Sequence, residues 1–220
     1  MKKAILATLV LVALAFAGPA QASPIYVSSG DYIHVSRTGV PTGAIGGGEY
    51  LVEPAMGSNF TPFISFCLQL GEYLESPTQV YKVQVSDYVE VDNVYPDGRD
   101  PLDYRTAKIY AYYSTDFGGR FVGPDAANAK ARAVQDAIWY IENEMALNEL
   151  NADALYLVQQ WVGTPTGLGN VRAMNLTWIN TAGQTINAQD LLAPIPEPGS
   201  MFLLGTGLVG LAKLARRRRS

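Results

Sequence analysis

Ala126-Ala127-Asn128-Ala129-Lys130-Ala131-Arg132-Ala133-Val134-Gln135-Asp136-Ala137-Ile138-Trp139-Tyr140-Ile141-Glu142-Asn143-Glu144-Met145 is the strongest helical pattern in the chain. Ala127, Ala131, Val134, Ile138, Ile141 and Met145 recur at intervals of three and four, the period of one helix face. Pro124-Asp125 just before them supplies a helix start. Gln135 lies one residue after Val134 and three before Ile138, so it borders the buried face. An amide there needs a partner.

The pattern extends outward on both sides. Tyr104 to Tyr113 places Ala107, Tyr110 and Ala111 at helical spacing, with Phe117-Gly118-Gly119 as a stop. Asn151 to Val162 reads as a shorter third helix carrying Leu155, Leu157, Val158 and Trp161. Before the helices, from Ile25 to about Val91, the period is two. Tyr32-Ile33-His34-Val35, Tyr50-Leu51-Val52-Glu53 and Val80 to Val85 alternate and are separated by clusters such as Gly46-Gly47-Gly48. Phe63-Ile64-Ser65-Phe66-Cys67-Leu68 is nearly all apolar, as a strand covered on both faces should be, which places Cys67 inside. Val171 to Trp178 returns to strand. The fold class is α+β: one β-rich sandwich or barrel-like domain with an inserted helical subdomain. No internal repeat is visible.

Both ends of the 220 residues read as addresses. Lys2 and Lys3 precede an apolar run from Ala4 to Ala17, and Ala20-Gln21-Ala22 is the small-x-small pattern of a signal-peptidase site. Residues 1–22 are thus read as a signal peptide, 23–192 as the folded domain and 193–220 as a tail. About 170 residues suffice for one core. Of 16 Lys and Arg, two fall in the signal and five after Leu211, leaving nine against 19 Asp and Glu once Glu197 is set aside. A body ten charges negative repels phosphate backbones, so nucleic acid is excluded as a partner.

The tail reads Pro196-Glu197-Pro198, then an apolar segment from Met201 to Ala212, then Arg216, Arg217, Arg218 and Arg219. By physics alone this is a stiff linker, a single hydrophobic anchor helix and a positive-inside stop that holds the preceding domain outside the cytoplasm. The three-part order resembles the PEP-CTERM sorting signal. That resemblance implies recognition by exosortase at the inner membrane of a Gram-negative, polysaccharide-producing bacterium. It further implies a membrane-anchored stage before processing, then release to the cell surface or extracellular matrix.

Cys67 is the sole cysteine and His34 the sole histidine. No intrachain disulfide can form, and no Cys-rich or His-rich zinc site can be assembled. Asp97, Asp100 and Asp103 alternate in a turn-like stretch, but a calcium loop's distal Glu is missing and Arg99 sits among them. Neither metal nor cofactor is expected. The acid pairs Glu72 with Glu75 and Glu142 with Glu144 read as solvated faces, not as glycosidase carboxylates.

Val134-Gln135-Asp136-Ala137-Ile138-Trp139 resembles the Thr-Gln-x-Ala-Ile-Trp signature of bacterial thioester domains, and Phe66-Cys67-Leu68 resembles their cysteine segment. The resemblance implies an internal thioester joining the Cys67 sulfur to the side-chain carbonyl of Gln135. Such a bond stores an activated acyl group for capture by an amine or hydroxyl on a surface or matrix partner. The protein would be a single-use covalent binder and not a turnover enzyme. The chain departs from the family pattern at Val134, where the signature has Thr; a Val134→Thr change should then raise reactivity. Cys67→Ala and Gln135→Ala should each abolish capture and leave a folded domain, since neither side chain supplies much burial. Two rival readings stand beside this one: a passive matrix protein in which Cys67 and Gln135 merely pack, and a hydrolase with Cys67 and His34 as nucleophile and base.

Overall fold

Alternating burial along short strands fixes the body of the protein. The computed structural model describes residues 26–39, 47–75, 78–90, 98–115, 117–164 and 166–195. The expected signal peptide and the sorting elements Pro196, Glu197, Pro198 and Arg216 to Arg219 lie outside the described residues. Among the described residues no helix is long and apolar enough to cross a membrane.

Strands β1 (Tyr32–Arg37), β2 (Tyr50–Ala55), β3 (Phe63–Ser65) and β4 (Val80–Ser86) precede a small hairpin of β5 (Tyr88–Glu90) and β6 (Arg99–Pro101). Helices α1 (Tyr104–Ala111), α2 (Ala126–Ile141) and α3 (Ala152–Gln160) follow, and β7 (Val171–Ile179) and β8 (Thr185–Pro194) close the domain. The main sheet runs β3-β2-β1-β4-β7-β8, antiparallel throughout. Pairing in β8 passes Leu192 and ends at Pro194, with Ala193 fully buried.

Past Ser65 the chain leaves β2 and meets the opposite edge of the sheet. Leu192 N–H donates to Phe66 O (3.1 Å), Leu68 N–H donates to Asp190 O (2.9 Å), and Cys67 bridges Leu191. Ser65 Oγ adds a bond to Leu192 O at 2.6 Å. The sheet therefore closes on itself as a six-stranded barrel, and the pairing satisfies backbone groups that an open edge would leave to solvent.

Closure also explains the apolar run of Phe63 to Leu68. Phe66 and Leu68 turn outward into a helical core with Ile109, Val134, Ile138 and Leu157, while Cys67 turns inward to a barrel core with Ile33, Val35, Val52, Tyr81 and Leu191. Both faces of this segment are buried, as its composition predicts.

Helix ends differ from the periodicity reading. α1 stops at Ala111, two residues short of Tyr113, because Tyr113 and Thr115 N–H turn back onto Tyr110 O and Tyr112 O. Ala111 is exposed, whereas Thr106 and Ile109 are buried. α2 stops at Ile141, since Asn143 takes a positive φ of 65° and both Glu144 and Met145 N–H return to Trp139 O. Met145 is buried all the same, but Ala127 in the first turn faces solvent. α3 spans only Ala152–Gln160, with Asn151 as its cap.

Glu142 was expected on a solvated face and is instead 5 % exposed, accepting Asp103 N–H at 3.3 Å. Burial is the main reason its carboxyl is pushed up to about 7, helped by the nearby Asp103 and Asp100. A folded-state pKa above the unfolded value of 4.5 gives stability that is fully present below pH 4.5 and lost as pH rises through 7. Asp136 and Asp190, also raised by burial, act in the same direction. The free energy of unfolding is expected to drop by about 2–3 kcal/mol between pH 4.5 and 8 from Glu142 alone. Glu142→Gln should flatten that part of the dependence in urea titrations; an unchanged slope would mean that water reaches the carboxylate.

Candidate functional site

Gln135 sits in the middle of α2, 1 % exposed, where a side-chain amide must find partners across the domain interface with the barrel. Its Oε1 accepts two backbone N–H groups, from Cys67 at 3.0 Å and from Gly48 at 3.1 Å. Its Nε2 donates to Cys67 O at 2.8 Å. The amide thus engages both backbone groups of the residue that carries the only thiol. What the helix pattern places at the edge of the buried face is in fact wholly inside.

The Gly48 donor is held by its neighbours. A Cβ on Gly47 would lie 2.1 and 2.3 Å from Trp139 ring carbons and 3.1 Å from Gln135 Cγ, so only glycine lets the chain pass this close to α2. On the other side, the Tyr113 hydroxyl donates to the Glu49 carboxylate, tying the strand entrance to the end of α1.

Cys67 is 2 % exposed. It shares the barrel core and one cleft with Tyr50. Burial pushes the thiol up to about 12; the neighbouring Tyr50, the charge of Arg37 and the Gly48 N–H pull the other way. At neutral pH the free sulfur is a thiol and not a thiolate. A cleft of about 470 Å³ reaches Cys67 and is bounded by Gly47, Tyr50, Trp139, Arg37 and Glu72. Glu75 lines it too, so the Glu72 and Glu75 pair borders the site and does not merely coat a solvated face.

Of the motif neighbours, Trp139 packs in the barrel core beside Cys67, while Phe66, Leu68, Val134, Ala137 and Ile138 belong to the helical core. Val134 therefore does not face the sulfur. A threonine there would put its hydroxyl among apolar side chains, which removes the physical basis for expecting Val134→Thr to raise reactivity.

The His34 dyad is not formed. Ile33 and Val35 share the barrel core with Cys67, so His34, between them on β1, projects from the other face, where its Nδ1 lies 3.3 Å from Gln79 O. Asp97 lies outside the described residues, and Asp103 caps α1 and pairs with Arg105 at 2.7 Å. Among the described residues no group of three or more His, Cys, Asp or Glu is placed to hold a metal ion.

Sequence reasoning missed Gly47, Gly48, Tyr50 and Arg37. Gly46-Gly47-Gly48 registers only as turn chemistry, because which N–H meets Gln135 depends on how the barrel closes. Tyr50 reads as one more alternating strand residue.

A family model described as the PEP-CTERM protein-sorting motif matches residues 194–219. Motifs of this kind are recognised by exosortase and indicate an exported protein that is transiently anchored in the membrane. No curated protein and no solved structure matches the chain.

Proposed function

We propose that this exported chain carries an internal thioester between Cys67 Sγ and Gln135 Cδ and uses it once, to bind a partner covalently at the cell surface or in the extracellular matrix. One observation carries the reading: the Gln135 side-chain amide hydrogen-bonds both the N–H and the C=O of Cys67, with the Gly48 N–H as a third partner. These bonds seat the amide against the residue that carries the sulfur. Gln135 Oε1 also lies between two backbone N–H groups, the arrangement that stabilises a tetrahedral oxyanion.

The chemistry balances as follows. The sulfur attacks Gln135 Cδ, the thiol proton leaves with the amide nitrogen as ammonia, and a C–S bond replaces the C–N bond. An amine or hydroxyl entering the cleft later attacks the same carbon. It becomes an amide or ester of Gln135 and returns Cys67 to a thiol. Burial of the sulfur keeps bulk water away in the interval.

Intact mass tests this directly. The purified protein is expected to weigh about 17 Da less than its sequence, the ammonia lost on closure, and to gain about 31 Da with methylamine. A mass equal to the sequence, with no response to amine, would leave Cys67 and Gln135 as packing residues of a passive matrix protein.

A further inference from the structure

The barrel register sets three residues in line across three strands: Arg37 of β1 pairs with Tyr50 of β2, and Tyr50 pairs with Ser65 of β3, two residues before Cys67. Tyr50 is 6 % exposed, shares the barrel core with Cys67 and lines the same cleft. Arg37 lines that cleft as well, its guanidinium carbon 5.8 Å from the Tyr50 ring centre; burial and the neighbouring sulfur raise the phenol's pKa, and Arg37 pulls it back down. The sulfur therefore shares its cleft with a phenol that has a cation beside it. A thioester gives up its acyl group by expelling sulfur, and burial holds this thiol's pKa so high that a bare thiolate is a poor leaving group.

We propose that Tyr50 is the proton donor to Cys67 Sγ during acyl transfer, with Arg37 as a positioning residue that stabilises the resulting tyrosinate. This rests on the thioester reading and adds a residue to it. As the nucleophile's lone pair forms the new bond to Gln135 Cδ, the C–S electron pair goes to sulfur. The phenol proton of Tyr50 passes to that sulfur, giving the Cys67 thiol. The tyrosinate, held beside Arg37, takes up the proton released by the attacking amine through water in the cleft, and the phenol is restored. No net proton is gained or lost.

Tyr50→Phe keeps the ring and removes the proton. In the wild type, the mass deficit first establishes the thioester. Methylamine capture by Tyr50→Phe is then expected to be slower by about 10²–10⁴-fold, the usual contribution of general acid catalysis. Capture by this variant should also accelerate with the concentration of an acidic buffer such as imidazolium, while the wild-type rate stays flat. A merely structural role would not produce that buffer dependence. Should Tyr50→Phe fail to fold or to close the thioester, the exposed Arg37→Gln decides, with capture expected to slow about tenfold. A wild-type thioester captured at an undiminished rate by either variant would overturn the role of Tyr50 and leave the thioester standing. A wild type without mass deficit would overturn both.

Discussion

Gln135→Ala is expected to unfold at markedly lower urea than Cys67→Ala, by a difference of about 3 kcal/mol or more. Neither variant can close a thioester, so the comparison isolates what the amide does in the free-thiol form. Removing it strands three buried backbone groups: Cys67 N–H, Gly48 N–H and Cys67 O. Each such group costs about 1–3 kcal/mol when left unsatisfied in the interior. Against a typical domain stability of about 5–15 kcal/mol, that is a large fraction. Cys67→Ala removes one sulfur atom and leaves those bonds intact. The expectation that each variant leaves a folded domain rests on the small area the two side chains bury, but Gln135 also works through hydrogen bonds. Coincident midpoints would show that water or a shifted α2 replaces the amide.

The periods of two and 3.6 were legible because each element buries one face against a single neighbouring layer. β1, β2, β4, α1, α2, α3 and β7 all fall where alternation or helical spacing puts them, with ends displaced by the returns of Tyr113, Glu144 and Met145 N–H. The double burial of Phe66 to Leu68 was legible for the same reason, as an unbroken apolar run. Cys67 and Gln135 were singled out by their flanking residues, and the structure brings them into hydrogen-bond contact.

The remainder of the site follows from pairings distant in the chain, which carry no local signature. Closure of the barrel joins Phe66 to Leu192, and only that closure turns Cys67 toward Tyr50. Glu142 shows the converse failure. Its sequence surroundings are polar, yet the end of α2 is pressed against the cap of α1, so a carboxylate that composition assigns to solvent is buried. Val134 fails in a third way. The signature places it next to Gln135, but adjacent helix positions point about 100° apart, and that rotation carries it into the other core.

Opening the proposed thioester with methylamine is expected to lower the unfolding free energy by about 3 kcal/mol. Cys67 and Gln135 are 68 residues apart, and a covalent link across such a loop removes enough unfolded-chain entropy to stabilise the fold by about 4 kcal/mol. Amine capture breaks the link and returns an amide N–H to Gln135, which offsets about 1 kcal/mol at most. The proposed cross-link would span the junction between barrel and helices, so its loss should also appear as faster amide hydrogen exchange in α2. Cys67→Ala should match the amine-opened protein and not the closed one. If closed and opened forms unfold at the same urea concentration, the acyl group is not tethering α2 to the barrel, whatever the mass reads. If they differ as expected, binding a partner and loosening the helical layer are one event, because the bond that holds the layer is the bond that is spent.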